Sequence, residues 1–376
     1  MRESAQNILQ EMVDAHLVAG ASAGVWQQGR EVLYAAAGMA DRERRRPLTR
    51  DTIFRLYSMT KPVTGFAAML LLERHAFTRD TPVERYFSSF AGTGVTVGRL
   101  LSMTSGLVYD GDSESGRQSA ALFDEAAGRL GTGHDLTTAQ MAERLGKIPL
   151  EFSPGSHWKY GSSADVLGAV IEKAADRPYA DFLRQELFDP LDMRDTAFYV
   201  PAEKQDRLAQ VYEARDGRLT PFLYSRLGVD HEMRAEPAFA SGGAGLASTL
   251  RDYSRFGVML LGGGSFEGRQ YLKPETVRAF TTIPGESEAP QDMYGGFPHL
   301  QGYRYGNFLR MCAEPEHARL LCHRGEYGWD GWLGTDFVND PATGTTFLLM
   351  TQSTGADLIP WRFRLRDCIW RELFEK

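Results

Sequence analysis

The chain has 376 residues, and its composition excludes several classes of protein before any motif is considered. Hydrophobic residues make up 43% and charged residues 24%, which is typical of a globular chain and not of a disordered or fibrous one. No apolar run reaches the roughly 18 residues needed to cross a bilayer, so no membrane span is expected. The net charge of −7 argues against a nucleic-acid surface, and the one basic cluster, residues 42–50, is interpreted as a solvated loop.

The cysteines and the first residues of the chain favour a cytoplasmic location. Cys312, Cys322 and Cys368 cannot all pair, which suits a reducing compartment, and a Cys312–Cys322 disulfide is the less favoured alternative. The chain begins with acids and amides where a secretory signal would have a basic start and an apolar core. We therefore expect a cytoplasmic protein, the alternative being a mature chain whose export signal has been removed.

The hydrophobic pattern predicts a helix, a hairpin and a long apolar helix in the first part of the chain. Apolar residues within 3–17 have helical spacing, and residues 21–26 and 31–37 flank a turn as in a β-hairpin. A long apolar helix is predicted to start near residue 58 and to run to about residue 74.

The middle of the chain is predicted to be rich in helices and loops, and two strands and a helix are predicted at its end. The middle segments are residues 97–103, a loop at 109–116, residues 136–145 and 164–175, a glycine cluster at 242–245 and a helix at 249–261. Apolar runs at 333–339 and 345–351 flank a turn, and residues 361–374 have the pattern of an amphipathic helix.

The order of these elements predicts an α+β fold with two lobes. Because the hairpin and the last strands lie at opposite ends of the chain, one sheet must be assembled from both ends. We expect residues 1–80 and 290–376 to form one discontinuous α/β sheet domain. Residues 81–289 are expected to form a mostly helical domain, with the active site between the two.

The run Ser58-Met59-Thr60-Lys61 is the first candidate for chemistry. Residues three apart on a helix lie on one face, so the Ser58 hydroxyl and the Lys61 ammonium can touch. The N-terminus of the helix adds positive potential and free backbone N–H groups, which stabilise developing negative charge. This combination is typical of an activated nucleophile, and the alternative is a helix cap beside a surface lysine.

Two other serines compete for the role of nucleophile. Ser156 and Lys159 repeat the spacing, but they follow a turn signal and are predicted to lie in a loop, where the spacing does not force contact. Ser22 lies in a Gly-x-Ser-x-Gly pattern. A nucleophile elbow of that kind needs a strand, a sharp turn and a helix, whereas a strand and a hairpin turn follow here. We therefore prefer Ser58.

Tyr160 and the glycine-containing segment 328–335 are the further candidates. The Tyr160 phenol has an ordinary pKa of about 10 and is a poor base unless a cation, from Lys61 or Lys159, lowers it. Glycines before an edge strand let a substrate lie close to the backbone, where a backbone N–H can act with that of Ser58 as an oxyanion hole. The alternatives are a half-buried aromatic residue and an ordinary turn into a strand.

No metal or nucleotide chemistry is predicted. The 8 histidines are scattered, and His317, Cys322 and His323 do not match the usual zinc spacings. The run 262–264 of three glycines opens no phosphate-binding strand–helix unit. We expect neither a metal nor a cofactor.

Five ordered segments together resemble the serine β-lactamase-like superfamily, and most closely the class C β-lactamase-related hydrolases, which include family VIII esterases. The segments are Phe54–Lys61, Leu100–Leu107, Pro154–Gly168, Ser241–Thr249 and Gly328–Pro341. Within the second segment, Met103 stands where the family commonly has His. The resemblance covers nearly the whole chain. It implies a fold like that of β-lactamases and penicillin-binding proteins, with an antiparallel sheet flanked by helices and a mostly helical domain.

The resemblance also implies roles for individual residues. Ser58 would be the acylated nucleophile, and Lys61 and Tyr160 would share the general base and acid work. Ser162 would stand where class C β-lactamases usually carry Asn. The backbone N–H groups of Ser58 and Trp332 would form the oxyanion hole.

The last motif departs from the β-lactamase pattern. β-Lactamases have Lys-Thr-Gly on that strand, where the lysine helps to hold a substrate carboxylate, and the counterpart here is Trp329-Asp330-Gly331, similar to the Trp-Gly-Gly of the esterases. An alternative alignment places His323-Arg324-Gly325 there, like the His-x-Gly of some peptidases. With Trp329 in place of Lys and Ser162 in place of Asn, an apolar or aromatic ester or amide is favoured over a carboxylate-bearing β-lactam.

We therefore predict a serine hydrolase that forms an acyl-enzyme, and specifically a carboxylesterase on small or aromatic esters. The aromatic residues expected to line its cleft are Tyr57, Trp158, Trp329 and Trp332. The alternatives within the superfamily are a β-lactamase, a D-amino-acid amidase or peptidase, and an acyltransferase; a non-catalytic binding protein is the distant one. The expected partner is a small-molecule ester or amide, and the oligomeric state is not predicted.

Overall fold

The fold is described from a computed structural model, which covers residues 4–282 and 292–374. The strands in these residues are β1 (Gly20–Gln27), β2 (Arg30–Asp41), β3 (Arg46–Pro47), β4 (Ile53–Arg55), β5 (Tyr212–Arg215), β6 (Arg218–Pro221), β7 (Ala247–Thr249), β8 (Ser265–Phe266), β9 (Arg269–Gln270), β10 (Tyr303–Gly306), β11 (Leu309–Cys312), β12 (Tyr327–Asp330), β13 (Asp336–Asp340), β14 (Thr345–Thr351) and β15 (Ser353–Thr354). The α-helices are α1 (Ala5–Asp14), α2 (Thr60–Glu73), α3 (Val97–Leu101), α4 (Glu114–Arg129), α5 (Thr138–Leu145), α6 (Ser163–Ala175), α7 (Tyr179–Leu183), α8 (Leu250–Leu261), α9 (Pro274–Thr281), α10 (Met293–Gly296) and α11 (Ile359–Phe374).

An 8-stranded antiparallel sheet is built from both ends of the chain, in the order β10-β11-β12-β13-β14-β1-β2-β3. The two ends of the chain meet at β1 and β14, where Ala21 lies opposite Thr351 and Gln27 opposite Thr345. Both strands are buried along almost their whole length, which explains their runs of small and apolar residues. The predicted α+β fold with an antiparallel sheet is therefore confirmed.

Helices cover both faces of the sheet. On one face α1 and α11 pack on β1 and β14, and apolar side chains such as Ile8 and Leu365 fill the space between them. On the other face α2 and α8 meet the sheet through Phe66, Phe256 and Phe337, whose rings are in contact. Because α2 is apolar around its whole circumference, it is buried from its first residue to Leu71. Its first turn consequently lies deep in the molecule, beside β12.

The helices α3, α5 and α6 form a second layer, in which α6 packs against α2, α3 and α5. This contact places the start of α6 next to the start of α2. The division into a domain of residues 81–289 and a discontinuous sheet domain stays a prediction, and the predicted boundary at residue 290 lies outside the described residues.

Two elements differ from the prediction. The chain at 212–221 forms the hairpin β5–β6 inside the region predicted to be mostly helical. Its turn residues Asp216 and Gly217 have φ of 50° and 70°, a conformation that Asp-Gly adopts readily in two-residue hairpin loops. The strand predicted from residue 333 begins only at Asp336, because Gly334, with φ of 86°, turns the chain between β12 and β13.

Three further features bear on the sequence-based expectations. Among the residues described, no helix combines the length and the apolarity needed to cross a bilayer. Within the same ranges, His, Cys, Asp and Glu side chains form no group of three or more that can hold a metal ion. Cys312 and Cys322 are not joined by a disulfide, and their sulfur atoms lie 3.5 Å apart.

Candidate active site

Ser58 and Lys61 lie at the junction between β4 and α2. A 3-10 turn over Tyr57–Met59 leads into the helix, and Tyr57 has φ of 45°, in the left-handed region that few non-glycine residues adopt. The Lys61 Nζ donates a hydrogen bond to the Ser58 Oγ at 3.1 Å. Ser58 is half-buried, whereas Lys61 is 0% exposed. The predicted contact between the hydroxyl and the ammonium is therefore present in the structure.

Burial changes the acid–base behaviour of Lys61. Its second hydrogen bond goes to the carbonyl oxygen of Gly243 at 2.8 Å, and this acceptor carries no net charge. Removal from water lowers the Lys61 pKa to about 7, although the carboxylates of Asp165 and Asp330 oppose the shift. A substantial fraction of Lys61 is therefore neutral near pH 7, and in that form its amine can accept a proton.

The Tyr160 ring faces the Lys61 ammonium. The Lys61 Nζ is 4.6 Å from the centroid of the Tyr160 ring, and the Trp329 Nε1 donates to the Tyr160 Oη at 3.1 Å. The condition under which this phenol would be a good base, a pKa lowered by a cation, is not met. Burial raises the Tyr160 pKa well above 10, and hydrogen bonds with Ser58 and Trp329 offset only part of that rise. Tyr160 is consequently a neutral phenol at rest.

The structure adds two residues to this cluster that the sequence reasoning did not assign to it. Asp165, in the first turn of α6, is buried, and its carboxylate accepts hydrogen bonds from the Tyr109 Oη at 2.9 Å and the Gly243 N at 3.1 Å. The Tyr109 ring lies 5.3 Å from the Lys61 Nζ. An acidic residue among the apolar residues of the segment 164–171 was the available signal, because a carboxylate on a buried helix face needs a specific reason.

The strand β12 packs against α2 and against the 3-10 turn that holds Ser58. Trp329 is on β12, in register with Phe337 of β13, and its equivalence to the last motif of the family stays a prediction. Gly331 packs so closely that a Cβ atom there would lie 2.2 Å from the Leu56 carbonyl oxygen. Its role in the structure is therefore steric, since it lets this turn approach the residues before Ser58. Next to it, the Trp332 ring packs edge-on against Tyr57 at 5.0 Å.

Other predicted site residues lie elsewhere or have other partners. The Ser162 side chain is fully buried and donates to the carbonyl oxygen of Val108 at 3.3 Å, so its contact with substrate stays a prediction. The Lys159 Nζ pairs with Glu151 at 2.7 Å, and the Ser156 Oγ donates to the carbonyl oxygen of Ser153 at 2.8 Å. Ser22 is in the middle of β1, opposite Met350, with its side chain buried.

Aromatic rings surround the Ser58–Lys61–Tyr160 cluster on two sides. Around Trp329 and Tyr160, the rings of Trp158, Phe297 and Tyr305 lie within 4.8 to 6.2 Å of their neighbours. On the other side, Phe222 packs against Trp332 at 5.6 Å, and the guanidinium of Arg226 lies 4.7 Å above the Trp332 ring. The four aromatic residues predicted to line the cleft thus lie in these two groups of rings.

A serine, a buried lysine and a tyrosine packed beside an antiparallel sheet are the arrangement of a serine hydrolase with the β-lactamase-like fold. The family described as Beta-lactamase matches residues 5–366. The chain therefore belongs to the Beta-lactamase family, and it is a serine hydrolase.

Two relatives and one solved structure are similar to this chain over most of its length. The chain is 32% identical to Esterase EstB from Burkholderia gladioli over 378 residues, which cover 93% of this chain and 90% of that protein. It is 33% identical to Protein Rv1367c from Mycobacterium tuberculosis over 370 residues, which cover 92% of this chain and 89% of that protein. Among solved structures, EstCE1, described as a hydrolase with promiscuous acyltransferase activity, has a TM-score of 0.84, is 25% identical and matches 97% of each chain.

Proposed function

We propose that the protein is a carboxylesterase that hydrolyses small or aromatic esters through an acyl-enzyme on Ser58. The observation that carries this proposal is the 3.1 Å contact between Ser58 and a lysine whose pKa burial lowers to about 7. A neutral amine in hydrogen-bond contact with a hydroxyl is the pairing that general-base activation of a nucleophile requires.

The proposed reaction has two halves. In acylation, neutral Lys61 takes the Ser58 proton as Oγ forms a bond to the ester carbonyl carbon, and the backbone N–H groups of Ser58 and Trp332 stabilise the oxyanion. Collapse of the tetrahedral intermediate breaks the bond to the leaving alcohol. Tyr160 donates its proton to that alcohol and regains one from Lys61. In deacylation, water replaces the alcohol and the same proton transfers run in reverse.

The raised pKa of Tyr160 supports its role as the acid and that of Lys61 as the base. A phenol that holds its proton at rest is suited to act as an acid toward the leaving alkoxide. Its hydrogen bond from Trp329 stabilises the phenolate that forms for a short time. The neutral form of Lys61 is then the base, and no metal or cofactor is needed for either half-reaction.

The preference for esters is supported by the strand β12 and by the aromatic rings. At the position where β-lactamases have a cation for a substrate carboxylate, β12 has Trp329, whose indole N–H is already bonded to Tyr160. The rings around Trp329 and Trp332 offer apolar contact to an acyl group or an aromatic alcohol. The name of Esterase EstB, 32% identical to this chain, supports the same substrate class.

Pre-steady-state hydrolysis of 4-nitrophenyl butyrate tests the proposal. We expect a burst of nitrophenol and a Ser58-linked butyryl adduct in the intact mass, and we expect Ser58→Ala to lose both while it keeps its thermal unfolding transition. Two matched controls, Ser22→Ala and Ser156→Ala, should keep full activity. Turnover retained by Ser58→Ala, or lost in either control, would show that the nucleophile is misassigned.

An acyltransferase is the second candidate, and it is supported by the likeness to EstCE1, whose description includes that activity. In this case an added alcohol would compete with water for the acyl-enzyme and release the transferred ester. Product partitioning with increasing benzyl alcohol measures this directly. A chromogenic cephalosporin and D-amino-acid amides in the same assay test the β-lactamase and the amidase or peptidase alternatives, for which we expect much lower kcat/KM.

A further inference from the structure

A buried carboxylate lies beneath the proposed general base, and nothing in the reaction above uses it. Asp165 is 2% exposed, and its oxygens accept hydrogen bonds from the Ser241 Oγ at 2.5 Å, the Tyr109 Oη at 2.9 Å and the Gly243 N at 3.1 Å. Burying a charge is costly unless it is hydrogen-bonded and paired. Three donors from two segments, the turn that holds Ser241 and Gly243 and the loop that holds Tyr109, show that the surrounding structure is arranged to hold an anion.

Gly243 connects this carboxylate to the lysine. Its N–H donates to Asp165, and its carbonyl oxygen accepts from the Lys61 Nζ at 2.8 Å. A Cβ atom at this position would lie 2.2 Å from the Tyr109 Oη and 2.7 Å from the Asp165 Oδ2. Glycine is therefore the residue that lets the backbone fit between the anion and the cation.

We propose that Asp165 is a positioning residue that acts through Lys61, because its negative charge, held beside Gly243, sets how tightly Lys61 keeps its proton. This role rests on the proposed function, in which Lys61 is the base for Ser58. Too little negative charge near Lys61 would leave an amine that is a weak base, and too much would leave a permanent ammonium that cannot take the Ser58 proton.

The other groups that face Lys61 have a smaller effect on how tightly it keeps its proton. Asp330, on β12, is held by Arg362 at 2.5 Å and faces Arg310 at 3.8 Å, so its charge is already balanced. The rings of Tyr109 and Tyr160 face the ammonium, and burial raises the pKa of both phenols, so both are neutral. The Asp165 carboxylate, in contrast, is bonded to hydroxyl and amide donors, and Lys61 is the cation that lowers its pKa against the effect of burial.

Asp165→Asn tests this role through the pH dependence of kcat/KM. Asn keeps the shape and removes the charge, so Lys61 should lose its proton at lower pH. The acid-side inflection of the kcat/KM profile should therefore move down by about one pH unit. This is the lower end of the pKa change expected when a nearby opposite charge is lost. A residue that only held the backbone would lower the plateau and leave the inflection in place, and this result would overturn the proposal.

Asp252→Asn is the matched control. Asp252 is 1% exposed and accepts hydrogen bonds from the Asp195 N and the Thr196 Oγ1, so it is another buried, hydrogen-bonded carboxylate. It belongs to α8 and is not among the groups that shift the Lys61 pKa. We expect its variant to keep the wild-type inflection, and a shift equal to that of Asp165→Asn would also overturn the proposal.

A second measurement covers the case in which Asp165→Asn does not fold. In Lys61→Met the carboxylate loses its cation, so the folded-state pKa of Asp165 rises further above its unfolded value of about 4. A group with a raised acid pKa costs stability as pH rises through that interval. The Tm of Lys61→Met should therefore fall, relative to wild type, between pH about 4.5 and about 6.5, a window in which wild-type Lys61 stays mostly protonated.

Parallel Tm curves for Lys61→Met and wild type would refute the coupling. This failure is distinguishable from a failure of the proposed function. If Ser58 is not the nucleophile, Ser58→Ala retains turnover whatever Asp165 does. If only the role of Asp165 is wrong, Ser58→Ala is inactive and Asp165→Asn keeps the wild-type inflection.

Discussion

Gly331 is the residue at which a single added methyl group should damage catalysis without touching any reacting atom. A Cβ atom there would lie 2.2 Å from both the Leu56 carbonyl oxygen and the Thr335 Oγ1, well inside the 3.0 Å limit that Cβ contacts respect. Leu56 lies two residues before Ser58 in the chain, and its carbonyl also accepts a hydrogen bond from the Met59 N at 3.2 Å. Gly331→Ala must therefore push the turn that carries Trp332 away from the nucleophile.

The size of the effect follows from the distances. To restore an ordinary contact, the turn has to move by about 1 Å, and a misplacement of that size costs about 100-fold in rate. Loss of one oxyanion-hole donor costs about 100-fold to 1,000-fold in kcat, which agrees with this value. We therefore expect kcat for 4-nitrophenyl butyrate to fall about 100-fold, which corresponds to about 2.7 kcal/mol of transition-state stabilisation.

Steady-state kinetics together with thermal unfolding would test this prediction. Gly128→Ala is the matched control, because Gly128 lies in α4 and, apart from its chain neighbours and the backbone of its own helix, no atom lies within 4 Å of an added Cβ. That variant should keep its kcat and gain about 0.5–1 kcal/mol of stability, since alanine is the better helix former. A Gly331→Ala enzyme with kcat within about threefold of wild type would refute the reasoning, because the close approach would then not position an oxyanion donor.

Three further predictions follow from the same geometry. With a Lys61 pKa of about 7, the neutral fraction is about 0.1 at pH 6 and about 0.9 at pH 8, so kcat/KM should rise about tenfold between them, and a flat profile would exclude Lys61 as the base. Trp329→Phe removes the 3.1 Å donor to Tyr160 and should lower kcat by about threefold to tenfold; an unchanged kcat would show that the phenol needs no such donor. Diamide should join Cys312 to Cys322, whose sulfur atoms are 3.5 Å apart, and tryptic peptide masses should show the link with a loss of about 2 Da; a link to the third cysteine instead would contradict the geometry.

The parts of the fold that the sequence predicted well are those in which one strong local signal agrees with the tertiary arrangement. The apolar segment after Ser58 predicts a long apolar helix, and α2 is that helix. The pairing of the two ends of the chain followed from apolar runs that need partners, and β1 and β14 are those partners. The hairpin β5–β6 was overlooked although its Asp-Gly turn is a strong local signal, because the surrounding chain has a helical composition.

The acid–base properties of the candidate site could not be predicted, because they depend on burial. From the sequence, Tyr160 is a base only if a cation lowers its pKa, yet the environment that brings Lys61 close also buries the phenol, and burial is the largest effect on its pKa. Tyr109 reaches the site only because its loop packs under the start of α6, 56 positions away from Asp165 in the chain. No local pattern in the sequence encodes a contact of that separation.

The two Ser-x-x-Lys runs show that burial, rather than spacing, distinguishes the candidate site. Ser156 and Lys159 have the same separation as Ser58 and Lys61, but Lys159 has a side chain that is 42% exposed and is paired with Glu151 at 2.7 Å. Lys61 is fully buried, its close partner is the neutral carbonyl of Gly243, and Asp165 accepts a hydrogen bond from the N–H of that same glycine. The same four-residue pattern therefore gives a surface ion pair in one place and a candidate general base in the other.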